Sequence, residues 1–221
     1  KLLEAFQEFG MEHLVLCPGS RSGPLALAAN ELAKAGQITL STSIDERSAA
    51  YLALGLSTAI GKATAVVTTS GSAVANLLPA AIEADRSCQP LLLITADRPY
   101  RLKNCGANQT VNQEDFLCSV CRWVGKGPRD GLHHLTAKSL DLLAKQVWHK
   151  AHFFAGPVHL NLPLEEPLHA TGEEQDEICK GWVPQAFNKE LSESLVNEIV
   201  NTESLVDFPD LVPSLPGVVV V

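Results

Sequence analysis

Ser43-Ile44-Asp45-Glu46-Arg47-Ser48-Ala49-Ala50-Tyr51-Leu52-Ala53-Leu54-Gly55-Leu56 decides how the chain folds. It follows a β-rich run, Gln37-Ile38-Thr39-Leu40-Ser41-Thr42, and turns through polar residues straight into an apolar helix. The Asp45 carboxylate can accept the unpaired N–H groups of the first helical turn. Glu46 opens the helix, where a carboxylate is ordinarily a surface residue that offsets the helix dipole. Here Ala49, Ala50, Ala53, Leu54 and Leu56 leave little polar face, so the helix reads as buried. That makes Glu46 a desolvated carboxylate at a helix mouth, and the candidate catalytic residue.

The same unit recurs on both sides. His13-Leu14-Val15-Leu16-Cys17 reads as a strand that runs into Pro18-Gly19-Ser20-Arg21-Ser22-Gly23-Pro24, then a helix from Leu25 to Ala35. A strand at Ala63–Thr69 leads through Ser70-Gly71-Ser72 into a helix continuing towards Asp85. Pro90–Ala96 is a fourth strand ending at Asp97-Arg98-Pro99. Trp123-Val124 is a weak strand, Leu132–Phe154 is mostly helical, and Gly156–Pro163 closes the sheet. Near-continuous apolar strands alternating with helices predict a doubly wound α/β fold, mainly parallel, with helices on both faces. Every polar turn then falls at a strand's carboxyl end, where ligands bind in open α/β sheets. The long stretch Tyr100–Gln113 reads as a functional loop over that end.

Charge marks the domain organisation. Of the net −8, residues 1–164 hold 15 Lys and Arg against 13 Asp and Glu, a net of +2. Residues 165–221 hold 2 against 12, a net of −10. We expect a first domain over residues 1–168, an acidic, Pro/Gly-punctuated linker over 169–186, and the start of a second α/β domain over 187–221. In that last part a helix spans about Asn188–Asn201, and a strand begins in Gly217-Val218-Val219-Val220-Val221. No basic stripe suggests nucleic-acid binding, and no run of 18 uncharged apolar residues suggests a membrane span. The amphipathic N-terminal helix Lys1–Gly10 is unlike a signal peptide. Six cysteines in mostly apolar or helical contexts suggest a reducing compartment.

Several patterns carry no chemistry. Cys118-Ser119-Val120-Cys121 has metal-like spacing but no second ligand pair follows at zinc-finger distance, and nothing completes a site at His133-His134. Gly125-Lys126-Gly127-Pro128 matches no phosphate-binding loop. Ser20 and Ser70 sit in turns without a partner base, so no hydrolase triad is assigned. Arg21 and Arg98 say more. Each follows a strand at the carboxyl end, and two guanidinium forks in one cleft suit a substrate bearing carboxylates.

Cys17-Pro18-Gly19-Ser20-Arg21-Ser22, Asp45-Glu46-Arg47, Thr69-Ser70-Gly71-Ser72-Ala73-Val74-Ala75-Asn76, Thr95-Ala96-Asp97-Arg98-Pro99, Cys105-Gly106-Ala107-Asn108-Gln109 and Gly156-Pro157-Val158-His159-Leu160-Asn161 occur in that order. Together, over residues 1 to about 168, they resemble the pyrimidine-binding domain of thiamine diphosphate enzymes. The first, fourth and fifth blocks are similar to the branch that makes 2-succinyl-5-enolpyruvyl-6-hydroxy-3-cyclohexene-1-carboxylate on the way to menaquinone or phylloquinone. Gly23 and Ser72 depart mildly, standing where that branch usually has Thr.

The resemblance implies that Glu46 hydrogen-bonds N1′ of the cofactor's aminopyrimidine, with Pro18, Ser72 and Asn76 lining the ring. It implies Ser20, Arg21, Arg98, Asn108 and Gln109 as substrate-binding residues, and 2-oxoglutarate and isochorismate as substrates. Mg²⁺ (or Mn²⁺) with the diphosphate would be held by a Gly-Asp-Gly…Asn motif in a further domain, since no Gly-Asp pair occurs in this chain. The chain alone is therefore expected to be inactive, supplying part of a site completed in a homodimer or homotetramer of the longer protein. The implied location is the bacterial cytoplasm, or the plastid in a plant. The alternatives are another thiamine diphosphate carboligase of the acetolactate synthase kind, or a non-catalytic module that kept the fold.

Overall fold

A computed structural model of the chain describes residues 1–180 and Trp182, Asp130 excepted. The second-domain helix and strand expected within 187–221 lie outside the described residues. The strands are β1 His13–Leu16, β2 Thr39–Thr42, β3 Thr64–Thr68, β4 Leu91–Asp97, β5 Trp123–Lys126 and β6 Pro157–Pro163. The helices are α1 Leu2–Glu8, α2 Gly23–Lys34, α3 Glu46–Ile60, α4 Ser72–Ala75, α5 Leu78–Arg86, α6 Glu114–Leu117, α7 Ala137–Phe153 and α8 Gly172–Cys179. The strands form one sheet in the order β2-β1-β3-β4-β6-β5, and each neighbouring pair is parallel.

Alternation along the inner strands divides the core into two layers. Leu14, Leu16, Ala65, Val67, Leu92 and Ile94 face one cluster with side chains of α1, α2 and α7. Val15, Cys17, Val66, Leu91 and Leu93 face the other, against the alanine stripes Ala49, Ala50 and Ala53 of α3 and Ala80, Ala81 and Ala84 of α5. Small residues let these two helices lie close to the sheet. Burying each Leu of β4 contributes about 1.5–3 kcal/mol relative to leaving it in water.

Three expectations are revised. The helix after β3 breaks at Asn76-Leu77 instead of running on. Pro79 has no N–H and its ring would clash with the Ala75 carbonyl, so it fits only in the first turn of a new helix, α5. The acidic linker contains α8, because Thr171 and Glu174 form a reciprocal capping box. And α3 is buried on one face only. Ala49, Ala50, Ala53 and Ser57 are buried, but Tyr51 is 43% and Leu52 46% exposed, with Ile44 just before the helix 89% exposed.

Candidate active site

The sheet order creates a switch point between β1 and β3. The chain leaves β1 for β2 on one side and leaves β3 for β4 on the other, so the helices that follow β1 and β3 part to opposite faces and open a cleft beyond the two turns. Those turns pack tightly, since a Cβ on Gly19 would lie 2.5 Å from Thr69 Cβ. Cys17 N–H still donates to Val67 O at 2.8 Å, which holds the Pro18 turn beside the turn after β3.

Glu46 enters the cleft from the β2 side. Ser43 N–H donates to Leu16 O at 3.0 Å, fixing the start of the β2–α3 turn beside β1. Asp45 then caps α3, its Oδ1 accepting Ser48 N–H at 2.7 Å, as the sequence predicts. One residue on, Glu46 is half-buried, and its Oε2 accepts Asn76 Nδ2 at 3.1 Å. The break before Pro79 leaves Asn76 as the C-cap of α4, exposed and opposite the mouth of α3. Ser72, first in α4, and Pro18 are likewise exposed around the same cleft. The desolvation expected at Glu46 is only partial, because the outer face of α3 is open.

Cys17 lies under this cleft, 1% exposed. Burial, reinforced by the charges of Glu46 and Asp45, pushes its thiol up to about 12. It therefore stays protonated and inert.

The arginines meet at a second level of the cleft. Arg21 is buried; Nη1 donates to Leu164 O at 3.0 Å and Nη2 to Glu166 Oε1 at 3.2 Å, while Nε is buried without a partner. Glu166 is largely exposed, so that ion pair contributes little. Arg98 donates through Nη1 to Ser70 Oγ and through Nη2 to Gln109 Oε1 at 3.4 Å. Burial lowers the pKa of Arg98 from its usual value and the charge of Arg21 adds to this, with Asp97 and Glu166 opposing. Arg98, its fork held from Ser70 and Gln109, and Arg21, whose charge acts on it, make a positive field at this end of the sheet that suits a carboxylate. Ser20 and Asn108 are exposed, and their side chains make no hydrogen bond among the described residues. Among those residues no cluster of three or more His, Cys, Asp or Glu is placed to hold a metal.

The family profile described as "Thiamine pyrophosphate enzyme, N-terminal TPP binding domain" matches residues 1–116. The chain belongs to the thiamine pyrophosphate enzymes. Within that family it is similar to proteins named 2-succinyl-5-enolpyruvyl-6-hydroxy-3-cyclohexene-1-carboxylate synthase. The protein from Prochlorococcus marinus (strain MIT 9313) is 69% identical over 176 residues, covering 80% of this chain and 30% of the relative. The protein from Synechococcus sp. (strain CC9311) is 58% identical over 221 residues, covering 99% of this chain and 37% of the relative. The chain thus spans about a third of the length of these relatives.

The structure adds residues that the sequence analysis left out of the site. Ser70, set aside as a nucleophile, anchors Arg98. Thr95, Asp97, His159 and Asn161, all fully buried, form a polar network at the carboxyl ends of β4 and β6. Lys103 and Glu114 tie the long loop to that network. Polar residues interrupting otherwise apolar strands were the available signal.

Proposed function

We propose that the longer protein decarboxylates 2-oxoglutarate and adds the resulting succinyl semialdehyde unit to isochorismate, in menaquinone or phylloquinone biosynthesis. The observation that carries the reading is the Glu46–Asn76 hydrogen bond together with Arg98 anchored on Ser70, in the turn after β3, at the same end of the sheet as Arg21. Both proposed substrates bear two carboxylates, and the relatives are named as this synthase.

The residues fit the cofactor. Among the described residues only Asn76 reaches the Glu46 carboxylate, so its second oxygen is available to a ring nitrogen. Thiamine diphosphate, when bound, supplies a thiazolium carbon that becomes a nucleophile and an electron sink for decarboxylation. Glu46 holds the proton shared with N1′ of the aminopyrimidine, and Asn76 keeps the carboxyl group aimed at that nitrogen. Pro18 and Ser72 line the ring. Arg21 and Arg98 bind substrate carboxylates, with Gln109, Asn108 and Ser20 completing the contacts. Mg²⁺ would be held outside this chain, in an assembly of two or four copies located in the cytoplasm or the plastid.

The test is turnover by the full-length protein, saturated with thiamine diphosphate and Mg²⁺, on 2-oxoglutarate with isochorismate and on pyruvate alone. Product formation from the first pair only is expected. Coupling of pyruvate with itself in preference would assign the chain to an acetolactate synthase-like carboligase, and no turnover of either would mark a module that has lost activity.

A further inference from the structure

Gln113, the N-cap of α6 at the end of the long loop, is fully buried and its amide acts in two directions. Nε2 donates to Asn161 Oδ1 at 2.6 Å and to Ala96 O at 3.1 Å, at the carboxyl ends of β6 and β4. Oε1 accepts the backbone N–H of Gly71 at 3.1 Å. The amide can point only one way, because Gly71 offers a donor and Ala96 an acceptor. Gly71 is itself buried, so without Gln113 its N–H would lose that partner away from water.

Gly71 supports the loop in turn. Its φ is +83°, and a Cβ there would meet Gln109 Cβ at 3.1 Å and Cα at 3.3 Å, so the Gln109 backbone rests directly on it. Gln109 Oε1 accepts one arm of Arg98, and Ser70 Oγ, next to Gly71, accepts the other. Gln113 therefore holds Gly71, Gly71 carries Gln109, and Gln109 with Ser70 holds Arg98.

We propose that Gln113 is a positioning residue for the substrate site. By holding the Gly71 N–H it sets the Ser70-Gly71 turn against Gln109, and so sets the direction in which the Arg98 guanidinium presents its fork. A glycine at positive φ has many other conformations open to it, and a forked contact to a carboxylate tolerates little misalignment. The inference rests on the reading of Arg98 and Gln109 as carboxylate-binding residues.

The full-length protein with Gln113→Met and Gln113→Glu tests it. The Met variant keeps the length of the side chain and loses every hydrogen bond of the amide, those to Asn161, Ala96 and Thr95 and the one from Gly71. The Glu variant keeps an oxygen for Gly71 and, when protonated, an O–H for Asn161. Loss of a hydrogen bond of this kind predicts KM for the 2-oxo acid raised about tenfold in Gln113→Met. In Gln113→Glu it stays within about threefold, although both variants lose thermal stability. Hydrogen exchange at the Gly71 amide should be fast in Gln113→Met and remain slow in Gln113→Glu, with no substrate present.

Equal KM changes in the two variants, or a fall in melting temperature with KM unchanged, would overturn the proposal and leave Gln113 a structural residue. Should Gln113→Met fail to fold, Ser70→Ala removes the other anchor of Arg98 without disturbing the buried amide. It should raise the same KM severalfold, and an unchanged KM there also overturns the proposal. A wild-type protein inactive on every 2-oxo acid refutes the functional reading separately, and the exchange rates then decide whether Gln113 holds Gly71.

Discussion

Lys103→Met should destabilise the chain by about 3 kcal/mol. Lys103 Nζ lies 2.7 Å from Asp97 Oδ2 and 2.9 Å from Glu114 Oε1, and the three side chains are 14%, 0% and 6% exposed. Solvent screening is therefore slight, and removing one partner of such a buried group costs about 3–5 kcal/mol. The lower end applies because both carboxylates keep other donors. Asp97 keeps Asn161 Nδ2 at 2.8 Å and Arg98 N–H at 2.7 Å, and Glu114 keeps Lys126 Nζ at 3.2 Å. For a domain of this size the loss corresponds to a fall of roughly 6–12 °C in melting temperature. Urea unfolding followed by circular dichroism at pH 7 measures it.

The dependence on pH gives the sign. Burial pushes the Glu114 carboxyl up, but Lys103, its own backbone N–H and Lys126 together outweigh that and hold it below the usual value of 4.5. Burial pulls Lys103 down, but Asp97 and Glu114 hold it above 10.5. The Glu114 contribution is thus present above about pH 4.5 and lost as pH falls through its folded value. The Lys103 contribution is present below about pH 10.5 and lost as pH rises through its folded value. The stability difference between wild type and Lys103→Met should be flat from about pH 5 to 10 and shrink in acid. A loss below about 1 kcal/mol, or a difference that does not shrink between about pH 5 and 3, would refute the buried ion cluster.

Glu46→Gln in the full-length enzyme should cost about 10²–10⁴ in rate while keeping the fold. Slowed proton exchange at C2 of bound thiamine diphosphate is the readout, and unchanged exchange removes Glu46 from proton transfer. Arg98→Ala should lower kcat/KM for the 2-oxo acid roughly ten- to a hundredfold with cofactor affinity near wild type. Arg98→Lys should restore only part of the loss, since an ammonium lacks the planar fork; equal weakening of cofactor binding would place Arg98 elsewhere. Burial lowers His159 to about 4, with the Glu114 charge opposing. Its neutral form therefore stabilises the fold above about pH 6.5, and that contribution, about 3 kcal/mol, is lost as pH falls towards 4. His159→Gln should flatten the stability profile over that range, and an unaltered slope would show that another group titrates.

The strands were legible because buried parallel strands are apolar runs that little else resembles. Asp45 was legible as a cap because capping is local chemistry. The failures were those of partnership. The break after Asn76 depends on Pro79, three residues on, a signal that lies in the sequence itself. So does the capping box at Thr171 and Glu174 that makes α8 out of an acidic linker. Gln113 and Lys103 act across 48 and 6 residues respectively, towards Asn161 and Asp97, and no periodicity in the sequence joins such pairs. The outer face of α3 was misjudged because apolar composition does not distinguish a side chain covered by its own domain from one left open.

The sulfur beneath the cleft has a bearing on how the site withstands oxidants. Cys17 sits beside the carboxylates of Asp45 and Glu46, and with its thiol pushed up to about 12 only about one molecule in 10⁴–10⁵ carries a thiolate near neutral pH. Peroxides and alkylating agents, which attack the thiolate, would spend themselves on the exposed Cys88, Cys105 and Cys118 instead. Cys105 lies three residues before Asn108 on the long loop, so modification there falls on the loop and not beneath Glu46. Burial, with the two carboxylates adding to it, keeps Cys17 from ionising and so shields the floor beneath Glu46 from oxidation.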